Sequence, residues 1–503
     1  MNKVIFCLTT GVTALVSAYL VFWYLIVKLF YRIDLSVVNL IRLGLVEALA
    51  ENHRLITIIS VFLALTSGLI LVSLLSASIS NSEKIISGSR LITQKELIRL
   101  ALKRCSKKSK IFIGGVPFPD QLHMRHILLT GPTGTGKTNA YYGLVEGIQA
   151  RNERMIILDP DGSYLSRFGR KGDVLINPFD KRSIKWDPFN DVQSDLDADA
   201  MALALLPTQR ERDEKWDANA RPLLAHCISA CQREGIGNME GLLNILTSPA
   251  DEIERFISTN HLPGYFDEGA TRALGSVLFT IGSRLQMFRH IYSGNFSIKK
   301  WVSHGNGNLY LTWRVNELAV LSPFYTVVLE VILRALLSTK QKPTWLLIDE
   351  IGQLGQLASI RQASTYGRDK NLRLVAGVQS NAQFEGIYGP HDARAIIGNL
   401  SSTLILGSSH HDREQAKAMA ESFGQVEILR KQHTVPTSQR GSGSFTEVLK
   451  TDQVVRAEEI VSLPVGEGFL KLAGDLPPSR VKVPSYSPEV KHPGFVPRVN
   501  GAA

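Results

Sequence analysis

The stretch His126–Gly143, HILLTGPTGTGKTNAYYG, constrains this chain more than any other. An apolar run that reads as a buried strand enters a glycine-rich turn, and a helix starts at Lys137 and Thr138. Gly131, Gly136, Lys137 and Thr138 fit the eight-residue phosphate-binding loop in the strand–loop–helix setting that the pattern requires. The whole loop is Gly131, Pro132, Thr133, Gly134, Thr135, Gly136, Lys137 and Thr138. Its glycines let backbone N–H groups turn towards phosphate, Lys137 adds a charge for the β and γ phosphates, and the Thr138 hydroxyl reaches Mg²⁺. The expectation is an α/β P-loop NTPase domain that uses a nucleoside triphosphate and Mg²⁺.

Two later strands end in aspartate. RMIILDPDGSY stops at Asp159 before Pro160, whereas TWLLIDEIGQL stops at Asp349 with Glu350 next to it. Hydrolysis needs one carboxylate on the metal side and an adjacent one to orient or deprotonate water. Only Asp349 and Glu350 supply both, so Asp349 with Thr138 is assigned to the metal and Glu350 to catalysis; Asp159 reads as a turn residue. Further on, the strand LRLVAGVQ is tipped by Gln379, suited to sensing the γ phosphate, and the preceding loop carries Arg368, which could stabilise transition-state charge at a neighbouring subunit. Arg361 and Arg373 are rivals for that role.

Val4–Val27 and Leu55–Ser82 contain no charged residue, and each is long enough to cross a bilayer. Spans are expected at about residues 4–27 and 55–79. The first run continues too far beyond Ser17 and Ala18 for a cleaved signal peptide. The loop from Lys28 to Arg54 mixes both signs of charge, whereas the segment after the second span carries Lys84, Arg90, Lys95, Arg99, Lys103, Arg104, Lys107, Lys108 and Lys110 against Glu83 and Glu96. That bias places both termini and the large C-terminal part in the cytoplasm, and the basic run suits anionic headgroups. The net charge of +10 also suggests an acidic partner. Four scattered cysteines exclude a disulfide framework; Cys227 and Cys231 beside His226 read as a buried helix face.

Between WDPFND and the second carboxylate strand, residues 191–291 change texture, with helical periodicity in ADAMALALLP, DANARPLLAHCISACQREG and MEGLLNILTS. They read as an all-α domain inserted into the α/β one, with Trp216 as a core anchor. STLILG and EGFLKL read as further core strands separated by a mobile polar loop, RKQHTVPTSQRGSGSFTE. The expected organisation is a membrane region at 1–82, a basic segment at 83–110, an α/β nucleotide-binding domain from 111–190 and 292–490, the insertion at 191–291, and a flexible tail at 491–503.

Taken in order, the two apolar spans, GPTGTGKT, DPDG, NPFDKRSIKWDPFND, the helical insertion, LLIDE and GVQS resemble the type IV secretion coupling proteins of the TraD/TraG type, ring-shaped hexameric ATPases related to the FtsK and HerA translocases. The resemblance implies a two-pass protein of the bacterial inner membrane whose RecA-like motor domain, at 111–190 and 292–490, hydrolyses ATP with Mg²⁺. It further implies that Asp349 and Glu350 are the metal-side and catalytic carboxylates, Arg368 the arginine finger and Gln379 the sensor. The implied partners are DNA held without sequence preference, a relaxase and the components of a secretion channel. A receptor that delivers protein effectors to the channel would use the same motor and stays open as an alternative. The short tail PSYSPEVKHPGFVPRVNGAA suggests no long acidic docking extension. A FtsK-like chromosome translocase ranks low, without the usual multiple spans and winged-helix DNA reader.

Overall fold

The computed structural model describes Thr66 and residues 84–106, 110–207, 214–257, 264–266, 269–291, 293–434 and 444–498. Apart from Thr66, both expected membrane spans lie outside the described residues, as do residues 435–443, half of the expected mobile loop.

The chain divides into two compact units. Among described residues the smaller one holds Thr66, 84–87, 427–434 and 444–451. There, β1 (Lys84–Gly88) belongs to a three-stranded sheet with two ten-residue strands, Gln425–Thr434 and Ser444–Gln453, in that order. Those two strands flank the polar segment that reads as a loop, so ordered pairing extends further into it than composition suggests.

In the larger unit the chain runs through α1 (Gln94–Leu102), β2 (Phe112–Ile113), β3 (Val116–Pro117), β4 (Ile127–Thr130), α2 (Lys137–Ala150), β5 (Arg154–Pro160), α3 (Ser163–Phe168) and β6 (Val174–Ile176). Every described element from there to residue 304 is helical: α4 (Asp195–Leu205), α5 (Glu214–Arg233), α6 (Met239–Leu246), α7 (Ala250–Ile257), α8 (Thr271–Leu285) and α9 (Ile298–His304), with short 3₁₀ turns. Then come β7 (Leu309–Trp313), α10 (Leu318–Ser338), β8 (Thr344–Ile348), α11 (Ile360–Tyr366), β9 (Leu372–Val378), α12 (Asn381–Tyr388), α13 (Pro390–Asn399), β10 (Ser402–Ile405) and α14 (Arg413–Glu421). With β11 and β12 being the two ten-residue strands above, the unit closes on α15 (Ala457–Val461), β13 (Glu467–Lys471) and β14 (Ser479–Lys482).

Nine strands form one mixed sheet in the order β14-β13-β10-β4-β9-β8-β5-β7-β6. From β10 to β6 all neighbours are parallel, and β13 and β14 add antiparallel partners at one edge. Parallel strands are covered on both faces, which is why ILLT, TWLLI and LRLVAGV are continuous buried runs. Alternate residues serve opposite faces. Leu128, Ile156, Leu346 and Leu374 join one core cluster with the helices α4, α5, α8 and α10. Ile127, Leu129, Met155, Trp345 and Val375 join the other, against α1, α2 and α3.

Helix α10 and the turn before it, Val315–Ser338, are long and apolar enough to cross a membrane, yet 67% of the most apolar window is buried in the core. Cys227 and Cys231 on α5 are fully buried, and burial pushes their thiols up to about 12 and about 11. The side chain of Trp216 falls outside the described residues. The WDPFND turn ties together distant parts of the helical segment. Asp187 accepts from the N–H of Met239 at 3.1 Å and from Ser293 at 2.9 Å, and Asp191 accepts from Trp186 Nε1 at 2.7 Å and from the N–H groups of Ile298 and Lys299 at 3.0 and 2.8 Å.

Residues 491–498 depart from the expected flexible tail. The N–H of Lys491 donates to Ser166 O at 2.8 Å, Arg182 donates to Pro493 O at 2.7 Å, and the N–H groups of Val496 and Arg498 donate to Asp180 Oδ2 at 3.0 Å and Phe179 O at 2.9 Å. Proline-rich composition looked like freedom, but this segment's donors are met by a surface remote in sequence.

Candidate nucleotide site

In an open α/β sheet, ligands sit outside the carboxyl ends of the strands. β4, β8 and β9 are parallel neighbours in the centre of this sheet, so the residues that follow them meet at one edge. β4 delivers the loop 131–136, in which Gly134 and Gly136 adopt φ +81° and +110°, where a side chain is strained. Gly136 is the residue before α2, so the first N–H groups of that helix face the loop. Thr135 Oγ1 donates to Pro132 O at 2.8 Å and holds the turn.

Lys137 is 8% exposed and its ammonium donates to Gly131 O. Burial lowers its pKa, and Glu350 and Asp349 oppose that. Asp349 directly follows β8; burial raises its pKa against a hydrogen bond from Tyr164, the charge of Lys137 and a hydrogen bond from Thr138. Tyr164 Oη donates to Asp349 Oδ2 at 2.9 Å. Burial likewise raises Glu350, opposed by Lys137, by the Gln379 amide and by the N–H of Gly352. Glu350 Oε2 is buried without a hydrogen-bond partner. Gln379, just past β9, also accepts from Thr133 Oγ1 at 3.3 Å, and so bridges loop and carboxylate. The loop, Lys137, Thr138, Asp349, Glu350 and Gln379 therefore come together.

This donor set suits Mg²⁺ bound with a nucleotide. Mg²⁺ on phosphates is held by one or two carboxylates and keeps several waters, and here a hydroxyl–carboxylate pair lies beside an orphaned carboxylate oxygen. Among the described residues no group of three or more His, Cys, Asp or Glu could hold a metal by itself.

Asp159 takes the turn role read from its sequence. It is fully buried and accepts from the N–H groups of Tyr164 at 2.9 Å and Leu165 at 2.7 Å, capping α3; burial pushes its carboxyl up to about 7. Arg368 does not join the site. It lies exposed in the turn Gly367–Lys370 that precedes β9, a seven-residue strand away from Gln379, or about 20 Å. Arg373 is corrected as a rival: it is buried in β9, donates to Glu153 and stacks 5.1 Å from the Trp345 ring. Arg361 is exposed and paired with Asp392 at 2.8 Å.

Two features escaped the sequence reading. Tyr164 was visible only as the end of DPDGSY. Replacing it by Phe is expected to raise the Mg²⁺ concentration for half-maximal hydrolysis about 10-fold, measured by metal titration of the rate, with folding unchanged. Gly377 is the other, because a Cβ there would stand 1.8 Å from Asp349 O. Gly377→Ala is expected to destabilise the fold by about 2 kcal/mol, seen as a lower midpoint of thermal unfolding, and to displace Asp349.

A family model, the type IV secretion-system coupling protein DNA-binding domain, matches residues 110–484. The chain is similar to coupling protein TraD of Escherichia coli strain K12, with 23% identity over 442 residues covering 83% of this chain and 60% of TraD. It thus spans less than two thirds of that relative. Among solved structures it is similar to the unbound monoclinic form of the bacterial conjugative coupling protein TrwBdeltaN70 (TM-score 0.75, 30% identity, 83% of this chain and 97% of that one). It is equally similar to plasmid coupling protein TrwB in complex with ADP and Mg²⁺ (TM-score 0.75, 29% identity, 83% and 98%), a protein also solved with ATP and GTP analogues. The family model covers most of a chain whose central strand tips carry a phosphate-type loop and a buried carboxylate pair, and the chain belongs to the type IV secretion-system coupling proteins.

Proposed function

We propose that the chain is an ATP-driven coupling protein that moves DNA, with its bound relaxase, into a type IV secretion channel in conjugation. The observation that carries the motor is the meeting of Lys137, Thr138, Asp349, Glu350 and Gln379 at one sheet edge around an oxygen with no partner. The RecA-like domain with its helical insertion, the two-pass anchor in the inner membrane and a hexameric ring belong to the same reading, supported by the likeness to TrwB and by the apolar runs at 4–27 and 55–82.

The loop N–H groups and Lys137 hold the triphosphate; Mg²⁺, when bound, offsets charge on the β and γ oxygens. Thr138 and Asp349 are the residues that would hold that ion, with Tyr164 fixing the carboxylate. Glu350 Oε2 orients water for in-line attack and takes its proton. Gln379 touches both Thr133 and Glu350, so loss of the γ phosphate shifts the tip of β9. Arg368 would complete the site of a neighbour in the ring. DNA contact through phosphates makes binding tolerant of sequence and steeply salt-dependent.

The test is ATP hydrolysis by the full-length protein in detergent or nanodiscs, with and without single- and double-stranded DNA, alongside plasmid transfer in cells. DNA stimulation that fades with salt is expected. Hydrolysis indifferent to both forms of DNA would overturn the DNA-motor reading, and polypeptide without DNA crosslinked to the protein in cells would favour effector delivery.

A further inference from the structure

We infer that the hollow outside the amino ends of β5, β6, β7 and β8 is a second anion site, which takes phosphate groups other than those of the motor's nucleotide. The four strands are parallel neighbours, with Arg154 beside Thr344 and Val174 beside Leu309 in register, so the loops that enter them meet at one edge. The residues assigned to the nucleotide follow their strands instead. The length of a strand, about 20 Å for the seven residues of β5, therefore separates the two places. Between the entering loops is a hollow of about 540 Å³, within the roughly 300–1,000 Å³ of small-ligand sites. Gly307 has φ +79°, and a Cβ there would stand 2.5 Å from Gly172 O, so the loops before β6 and β7 run in contact and form one wall.

Four cations, Arg154, Arg170, Lys171 and Lys342, line the hollow together with two carboxylates, Glu153 and Asp173. Both carboxylates are already spent. Glu153 accepts from Arg151 Nε at 3.1 Å, from Trp345 Nε1 at 2.7 Å and from Arg373. Asp173 accepts from the N–H groups of Arg170 and Asn308 at 2.9 and 2.7 Å. Among the described residues none of the four cations has a carboxylate partner. Arg154 is 8% exposed; Thr344 Oγ1 holds its guanidinium at 3.0 and 2.8 Å, the carbonyls of Trp301 and Val302 hold it at 3.2 and 2.8 Å, and the Trp301 ring lies 4.9 Å away. These bonds fix its direction and leave its charge without an acid. A buried charge is costly unless an opposite charge answers it, and this one lines a hollow shared with three exposed cations.

The lining selects the ligand. Four cations repel a metal ion and call for more than one negative charge. Among the described residues of the wall only Pro343 has an apolar side chain, so an acidic peptide would find no pocket for its apolar residues. Phosphate groups need none: arginine binds them through a planar fork and lysine as a point charge, and the amides of Asn152 and Asn306 are further donors. The wall has no aromatic ring on which a base could stack. Contact is therefore confined to phosphate, whether it belongs to a free polyphosphate anion or to a nucleic-acid backbone laid across the opening.

The test is calorimetric titration of the full-length protein with inorganic tripolyphosphate in the absence of Mg²⁺. The parent is expected to bind two per chain. Lys171→Glu combined with Lys342→Glu should weaken one of them at least about 10-fold and leave the affinity for a non-hydrolysable ATP analogue with Mg²⁺ unchanged. Lys171→Arg with Lys342→Arg should keep both, and neutral Lys171→Gln with Lys342→Gln should show a smaller loss of the same kind. Both lysines are exposed, so thermal unfolding should match the parent. A single tripolyphosphate per chain in the parent, or two bound at parental affinity after the charge reversal, would overturn the site. Lys137→Ala separates this from the nucleotide reading: if it kept two while the reversal left one, the second site would stand and the loop 131–138 would be misassigned. A single-stranded oligonucleotide that displaces tripolyphosphate from Lys137→Ala assigns the site to a nucleic-acid backbone, and failure to displace it assigns the site to a free polyphosphate.

Discussion

Glu350→Gln is expected to cut ATP hydrolysis by about 10²- to 10⁴-fold while nucleotide binding stays within a few-fold of the parent. The amide matches the carboxylate in shape, so the contacts with Gln379 and Gly352 can re-form and the packing around Ile351 is kept. What is lost is a basic oxygen at the one position of the carboxyl group that has no partner in the chain, Oε2. The pH profile gives a second readout. Burial raises the Glu350 pKa, and only its ionised form can accept a proton, so the rate of the parent should fall as pH drops through that raised value. The residual rate of the Gln variant should lack this acidic limb. Single-turnover hydrolysis over a pH series, with binding measured in parallel, checks both. A variant that hydrolysed at the parental rate would remove Glu350 from the chemistry.

The parts of this site that were legible in the sequence are those whose signal is local. The turn at 131–138 needs glycine at set places, and the buried strands that precede it and Asp349 are continuous apolar runs because both faces of a parallel sheet are covered. Asp349 and Glu350 could be preferred to Asp159 because the chemistry asks for adjacent carboxylates, and Asp159 is spent on the α3 backbone. Features made by residues far apart in sequence were silent. The clamp role of Asp187 and Asp191 depends on partners at 239, 293 and 297–299, and the anchoring of residues 491–498 depends on Ser166, Phe179, Asp180 and Arg182. Arginines show the same limit. Arg361, Arg368 and Arg373 look alike in the sequence, but the first is ion-paired on α11, the second lies exposed in the turn before β9, and the third is locked against Trp345.

Lys137→Ala should lower nucleotide affinity at least about 100-fold and abolish measurable hydrolysis, because the lysine has two electrostatic tasks. Its ammonium is the positive group assigned to the β and γ phosphates, and charge-assisted bonds to phosphate are the strong ones. It is also the cation that draws both buried carboxylates down against burial. Without it Asp349 and Glu350 keep their desolvation and lose their counter-charge, so each moves further up and a larger share is protonated near neutral pH. The metal-side ligand and the base then weaken together, an effect that added Mg²⁺ cannot fully reverse. Arginine should not rescue: Lys137 is 8% exposed in a hollow closed by Gly131 O, and a planar guanidinium is larger and differently shaped than the compact ammonium. The nucleotide-free protein should melt close to the parent, since the ammonium is itself desolvated and its removal relieves that cost. Calorimetric titration with a non-hydrolysable ATP analogue and thermal unfolding without nucleotide separate these effects. Intact binding in Lys137→Ala would move the phosphate site elsewhere in the molecule, and failure to fold would show that Lys137 holds the loop together before any ligand arrives.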